Sequence, residues 1–278
     1  ENDIWLPEHL GLEKNKHRSQ NCLIFSEISR WLRHFTKRFI WYSASTKSWG
    51  TVGIYVDCLK SFSRFLETII FNEKIEEINR KIIIDYLSFL QRKGLSRATI
   101  KQRIHTLRCF FQTGLMNQWF QVEPYLIRPE DTLIKKHEKV PRYIPEEVVQ
   151  QLNQNLEKLP EPIMRMVLVL QETGMRIGEI CQLPFDCLKS DGKGQYQIQF
   201  TRWKMKSEDI IPISLELAQV IKEQQQYIRE NLGDKFEYLF CGRKHTSHFI
   251  PVVRVISSES FINHLKRLAE ECRIKDNS

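Results

Sequence analysis

Several residue types that define special classes of chain are scarce here. Of 278 residues only 11 are glycine and 10 proline, too few for a linker-rich or collagen-like architecture. The seven cysteines (Cys22, Cys58, Cys109, Cys181, Cys187, Cys241 and Cys272) are odd in number, scattered and never spaced C-x-x-C. That usage argues against a disulfide scaffold or a zinc ribbon and for a reducing cytosol. No apolar run reaches the length of a membrane span, the one at Met166–Leu170 ending in Gln171 and Glu172. The eight histidines have no cysteine or carboxylate at ligand spacing, so neither a metal nor another cofactor is expected. A signal-peptide pattern is missing and the sequence opens at Glu1, which reads as a processed or excised fragment.

The composition is that of a globular chain, 41% hydrophobic and 27% charged, and is long enough for two ordinary domains. The formal net charge is +8, and its distribution is uneven. Residues 1–140 hold 23 Lys and Arg against 15 Asp and Glu, whereas residues 141–278 hold 19 against 19. The whole excess therefore lies in the first half. A nucleic-acid-binding half joined to a charge-balanced half is the functional reading; a solvated basic surface is the alternative that composition leaves open.

Apolar residues at three- and four-residue spacing predict a basic amphipathic helix over Cys22–Tyr42, then helices over Thr51–Glu67 and Asn79–Lys93, the latter stopped by Gly94. Ser96 is placed to cap a fourth helix, whose buried stripe is Ile100, Ile104, Leu107 and Phe111, beside a stripe of Arg97, Lys101, His105 and Arg108. The stretch Glu123–Arg142, with Pro124, Pro129 and Pro141 and the run Lys135, Lys136, His137, has linker composition. Beyond it Pro145 is expected at the first position of a helix, a second helix covers Glu161–Glu172, and Gly174 ends it. Alternation at Tyr196, Ile198 and Phe200, and Ile211 and Ile213 around Pro212, predict an antiparallel strand pair. Helix returns over Leu215–Asn231, a strand-like run covers Val252–Ile256, and a last helix runs from an expected cap at Ser258 to Arg273. The organisation expected is a 1–45 N-terminal extension, a 46–122 helical domain, a 123–142 linker and a 143–278 mixed domain. The fold class is mainly α with a small β-sheet.

The window that carries chemistry is Thr173-Gly174-Met175-Arg176-Ile177-Gly178-Glu179, followed by Leu183. Gly174 allows a helix to end with positive φ, which delivers Arg176 at the start of the next helix, where it can grip a phosphate bidentately. Glu179 can hold the guanidinium in place. An i,i+3 surface pair is the plainer alternative. Downstream, Arg202-Trp203-Lys204-Met205-Lys206 joins the two predicted strands, and Asp209-Ile210-Ile211-Pro212-Ile213 follows. A solvated lysine pair in a turn is the plainer reading of that segment.

Together these strings resemble the tyrosine recombinases, or phage integrase family. Thr-Gly-x-Arg-x-x-Glu-x-x-x-Leu is similar to the family's first signature box. The Arg202–Lys206 turn before Ile-Pro-Ile is similar to its β-hairpin. Pro141-Arg142-Tyr143-Ile144-Pro145 resembles the entry into its catalytic domain, and the helical stretch through Phe111 resembles its core-binding domain. The resemblance implies an all-helical core-binding domain followed by a mixed α+β catalytic domain, and strand cleavage and rejoining through a 3′-phosphotyrosyl intermediate without metal or ATP. It makes Arg176 and Lys204 catalytic, with Lys206 the rival for the lysine's place, and Glu179 supporting. Arg97, Lys101, Arg108 and Lys206 become candidate DNA contacts. The partners implied are double-stranded DNA, a homotetramer on paired sites and a partner recombinase, in the cytoplasm and without a membrane. The N-terminal helix and Trp-rich start resemble transposon-borne members.

The family's second box, His-x-x-Arg with a following tyrosine, has no clear counterpart. His105-Thr-Leu-Arg108 precedes Arg176, and His264-Leu-Lys-Arg267 falls in the last predicted helix; both read as chance matches. No tyrosine follows Tyr238. The catalytic domain is therefore expected to be incomplete, and this chain alone inactive. A non-catalytic DNA-binding clamp of the same fold and a type IB topoisomerase are the alternative functions.

Overall fold

The computed structural model describes residues 2–12, 22–69, 72–132, 143–192, 194–202, 207–244, 246 and 248–275. The chain divides into two compact units, Glu1–Lys139 and Val140–Ser278, each with its own core.

In the first unit, two of the helices start where short polar side chains close the first turn. Asn79 accepts from the Ile82 N–H (3.2 Å) at the head of α3 (Arg80–Arg92), and Ser96 accepts from the Thr99 N–H (3.1 Å) at the head of α4 (Arg97–Met116). Between them Gly94, at φ +65°, turns the chain. Helices α1 (Arg30–Ala44) and α2 (Trp49–Leu66) complete the bundle. Leu32, Phe39 and Ile40 of α1, Val56, Leu59 and Phe62 of α2, Ile83, Tyr86 and Leu90 of α3, and Ile104, Leu107 and Phe110 of α4 share one core. The core is rich in rings: Phe39 stacks on Tyr55 at 5.3 Å, and Phe62 meets Tyr86 edge-on at 5.0 Å. Burial pushes the Tyr86 phenol up to about 12 while its hydroxyl donates to Ser61 (3.0 Å). Gly114 lets α4 approach Phe120 so closely that a Cβ there would lie 2.0 Å from the ring's Cζ. Arg80 clamps the turn Pro129–Thr132 through Asp131, whose carboxylate also accepts from the Arg128 N–H (2.7 Å).

The helix expected over Cys22–Tyr42 starts later. Residues Leu23–Ile24 form a strand, β2, antiparallel to β1 (Ile4–Trp5), with Trp5 opposite Leu23. The physical reason is that Leu23 and Phe25 bury on alternate positions, while the Phe25 N–H donates to Asp3 (2.8 Å), so this stretch takes its hydrogen bonds from the N-terminal strand. Trp5 rests edge-on against Phe25 at 4.9 Å.

The second unit opens with α5 (Glu146–Asn153), where Pro145 lies one position before the helix rather than at its first residue. Helix α6 (Glu161–Thr173) ends at Gly174 with φ +61°, and the short α7 (Ile177–Ile180) follows. Strands β3 (Leu188–Ser190), β4 (Tyr196–Arg202) and β5 (Ser207–Ile213) form an antiparallel sheet; β3 had no signal in the sequence. Register pairs Tyr196 with Ile213, Ile198 with Ile211, Phe200 with Asp209 and Arg202 with Ser207. Helix α8 (Leu215–Leu232), the bulged pair β6 (Cys241–Arg243) and β7 (Pro251–Val255), and α9 (Ser258–Glu271) complete the unit. Ser257, one residue before the expected cap, closes α9 by accepting from Ser260 (3.1 Å). The core is mainly aliphatic, built from Ile163, Met166, Val167, Ile180, Leu183, Ile198, Ile221 and Leu239. Buried Arg165 joins α6 to α8 by donating to Gln224 (3.2 Å), and Gln224 passes the bond on to the Leu239 carbonyl (3.0 Å). The fold is mainly α with small antiparallel sheets, and no helix of the described residues is long and apolar enough to cross a membrane.

Candidate active site

Arg176 is set in place by the way α6 stops. Thr173 donates to the Val169 carbonyl (2.6 Å) and accepts from the Met175 N–H (3.3 Å), so the chain leaves the helix in a closed turn through Gly174. Met175 then buries, which fixes the direction of the next residue. Arg176 stands at the cap position of α7 in extended conformation. The Glu179 carboxylate accepts twice from it, from the backbone N–H at 2.9 Å and from Nη1 at 3.1 Å. Glu179 is thus half of a capping box and a guanidinium rest at once. Its side chain is 13% exposed and that of Arg176 is 69% exposed. The half-buried member holds the guanidinium at Nη1, and the exposed member keeps donors turned to solvent, where an anion can take them.

The β4–β5 hairpin is the second element. Phe200, Arg202, Asp209 and Ile211 share its core-facing side by register. Arg202 lies 5.6 Å from the Phe200 ring centroid and donates through Nε to Asp209, whose carboxyl this bond lowers first of all. The same carboxylate accepts from the Ile210 N–H (2.9 Å). Lys204 and Lys206, between these strands, lie outside the described residues.

A third contact ties the two elements and had no signal in the sequence. Ser214, directly after β5, donates from its N–H to Glu172 Oε1 (2.7 Å) and from its hydroxyl to Oε2 (2.9 Å). The same hydroxyl accepts from Leu217 (3.1 Å), capping α8. Glu172 is two residues before Gly174, so the end of the strand after Pro212 is fastened to the turn that delivers Arg176.

Other candidates fall elsewhere. Arg97 and Lys101 are exposed on α4, while half-buried Arg108 donates to the Arg128 carbonyl. His264 is turned inward on α9, its Nδ1 donating to the Ser260 carbonyl (2.7 Å), and burial lowers its pKa. His105 is exposed on α4, with Nε2 3.6 Å from the Cys109 sulfur. Among the described residues no group of three or more His, Cys, Asp or Glu could hold a metal ion.

Two family models match this chain: the phage integrase SAM-like domain over residues 32–134 and the phage integrase family over residues 142–277. Transposase B from transposon Tn554 of Staphylococcus aureus is 34% identical over 99% of this chain and 43% of its own length. The chain thus spans less than half of that relative. Tyrosine recombinase XerC of Bacillus licheniformis is 26% identical over 60% of this chain and 57% of its own length. Among solved structures, a lambda integrase tetramer bound to a Holliday junction superposes with a TM-score of 0.65, covering 88% of this chain and 67% of that one, at 17% identity. At that identity the likeness is one of fold. Residues 32–134 and 142–277 are the two matched parts, and the chain belongs to the phage integrase family, the tyrosine recombinases.

Proposed function

We propose that this chain is part of a site-specific recombinase of the transposase type, which cuts and rejoins duplex DNA strands. The observation that carries the reading is Arg176, exposed and held at backbone and guanidinium by Glu179, inside a chain that belongs to the tyrosine recombinases. In the reaction a tyrosine hydroxyl attacks the scissile phosphate and forms a 3′-phosphotyrosyl bond, and the 5′-oxygen leaves as a hydroxyl. A 5′-hydroxyl later attacks the phosphotyrosine and restores the diester. The bond energy is conserved, which removes any need for ATP. Arg176 offsets charge on the non-bridging oxygens from a position fixed before substrate arrives. Lys204 gives its proton to the departing 5′-oxygen, and Glu179 orients without reacting.

Duplex DNA is the substrate, and a homotetramer on paired sites is the assembly; the tetrameric lambda integrase on a Holliday junction supports both by likeness of fold. A partner recombinase is a further reading of that assembly. Arg97, Lys101, Arg108 and Lys206 serve as phosphate contacts, Arg97 and Lys101 from exposed positions on α4. The place of action is the cytoplasm.

The test is a suicide duplex nicked at its recombination site, incubated with the natural polypeptide that carries this segment. A covalent protein–DNA adduct on a denaturing gel is expected, weakened in Arg176→Ala and Lys204→Ala. An adduct indifferent to Lys204→Ala moves the acid role to Lys206. Salt-sensitive binding to the cognate site with no adduct overturns the recombinase reading in favour of a non-catalytic clamp.

A further inference from the structure

A cavity of about 550 Å³ opens in the first unit beside α2, α4 and the α3–α4 turn, where Lys60, Arg64, Lys93 and Arg103 meet Glu27 and Asp57. Helix α2 supplies positions 57, 60, 61 and 64, which share one helical face. Gly94 turns the chain so that Lys93 reaches the rim, its ammonium 4.5 Å from the Phe89 ring centroid. Arg103 is fixed from α4 by donating Nη1 to the Ser61 hydroxyl at 2.6 Å. Four cations against two carboxylates in a concave wall create a field that a fixed anion would satisfy. The chain provides a partial substitute. Glu27 accepts from Lys60 (2.7 Å) and from the Arg64 guanidinium, and the Lys60 bond is the main reason its carboxyl lies below the ordinary range.

We propose that this cavity seats a backbone phosphate of duplex DNA, gripped by Lys93 and Arg103, with Glu27 as the internal anion that the phosphate displaces from Lys60 and Arg64. The proposal rests on the DNA-rejoining function above, and it adds a site separate from the Arg97–Lys101 stripe. Arg103 is six positions from Arg97 and two from Lys101, which places it on another face of α4. Displacement conserves charge pairing: two cations exchange a carboxylate for a phosphodiester, and Glu27 returns to water.

The test is fluorescence anisotropy of the 278-residue chain on a short labelled duplex of random sequence, read across a salt series. Lys93→Gln and Arg103→Gln should each weaken binding and reduce the slope of log affinity against log salt by about 1. Lys81→Gln, the same charge loss at an exposed position of α3, should reduce it by less than half as much. Glu27→Gln should tighten binding about fivefold, the size of one half-exposed ion pair released. Glu76→Gln, the same charge change outside the cavity, should tighten it less. Equal effects of Lys93→Gln and Lys81→Gln, or of Glu27→Gln and Glu76→Gln, overturn the cavity while leaving the recombinase reading intact. A wild-type chain that binds no duplex at any salt also overturns the cavity, while the adduct test on the natural polypeptide still decides the recombinase reading. Because Arg103 also holds Ser61, Lys93→Gln decides if Arg103→Gln melts early.

Discussion

Glu172 holds Ser214 by two hydrogen bonds, one to its N–H and one to its hydroxyl, across 42 positions of sequence. The carboxylate sits at the end of α6, and the serine is where β5 becomes α8. Glu172→Gln keeps the shape and removes the charge. We expect stability to fall by about 1 kcal/mol, since the site is exposed, and adduct formation to fall several-fold with DNA affinity unchanged. Urea melts and the suicide-substrate gel read the two effects. Loss of stability with full cleavage would reduce Glu172 to a structural tie.

Arg176 and Glu179 should separate by size of effect. Removing a preorganised charge donor costs about 10²–10³ in rate, so Arg176→Ala should nearly abolish the adduct. Glu179→Gln can still accept from the Arg176 N–H and should cost about tenfold. Single-turnover cleavage at saturating DNA gives both numbers, and equal losses would show that Glu179 does more than orient.

Acid should weaken the first unit through Asp131. Burial pushes this carboxyl up, but the Arg80 guanidinium and the Arg128 N–H outweigh it and leave it below its ordinary value of 3.8. A carboxyl depressed in the folded state stabilises above its unfolded pKa, and the stabilisation drains away as pH falls through the lower folded value. Melting of the first unit should therefore drop below about pH 4. Asp131→Asn should flatten that drop and cost about 2 kcal/mol at neutral pH, because Arg80 loses its charged partner. Thermal melts across a pH series read both.

Gly114→Ala should destabilise in spite of the better helix propensity of alanine. The added Cβ would collide with the Phe120 ring, which is itself wedged against Phe35, Phe110 and Phe111. Overpacking of this kind costs about 1–3 kcal/mol, more than the ~1 kcal/mol gained from propensity. Phe120→Leu in the same chain should recover part of the loss. A double-mutant cycle in urea tests the coupling, and simple additivity would remove it.

Local chemistry made much of the fold legible. Asn79, Ser96, Gly94 and Gly174 all act within a few residues of themselves, and each stands at the helix boundary expected of it. The strand at Leu23–Ile24 was not legible, because its partner at Ile4–Trp5 is settled by tertiary pairing and the helical spacing ran on through Leu23. At the site, three-residue spacing was enough to foresee the Arg176–Glu179 contact. Nothing in the sequence joins Glu172 to Ser214, which meet only after a hairpin has been folded back. Lys60 and Arg64 are four positions apart on α2, but that Lys93 and Arg103 meet them depends on how α3 and α4 pack.

The edge-on contact of Trp5 with Phe25 has a practical use. Phe25 is two residues from Glu27, and Trp5 in turn stands 6.2 Å from Trp41. With the other five tryptophans replaced, the emission of Trp5 should therefore shift when Glu27 leaves Lys60, a signal that needs no added label.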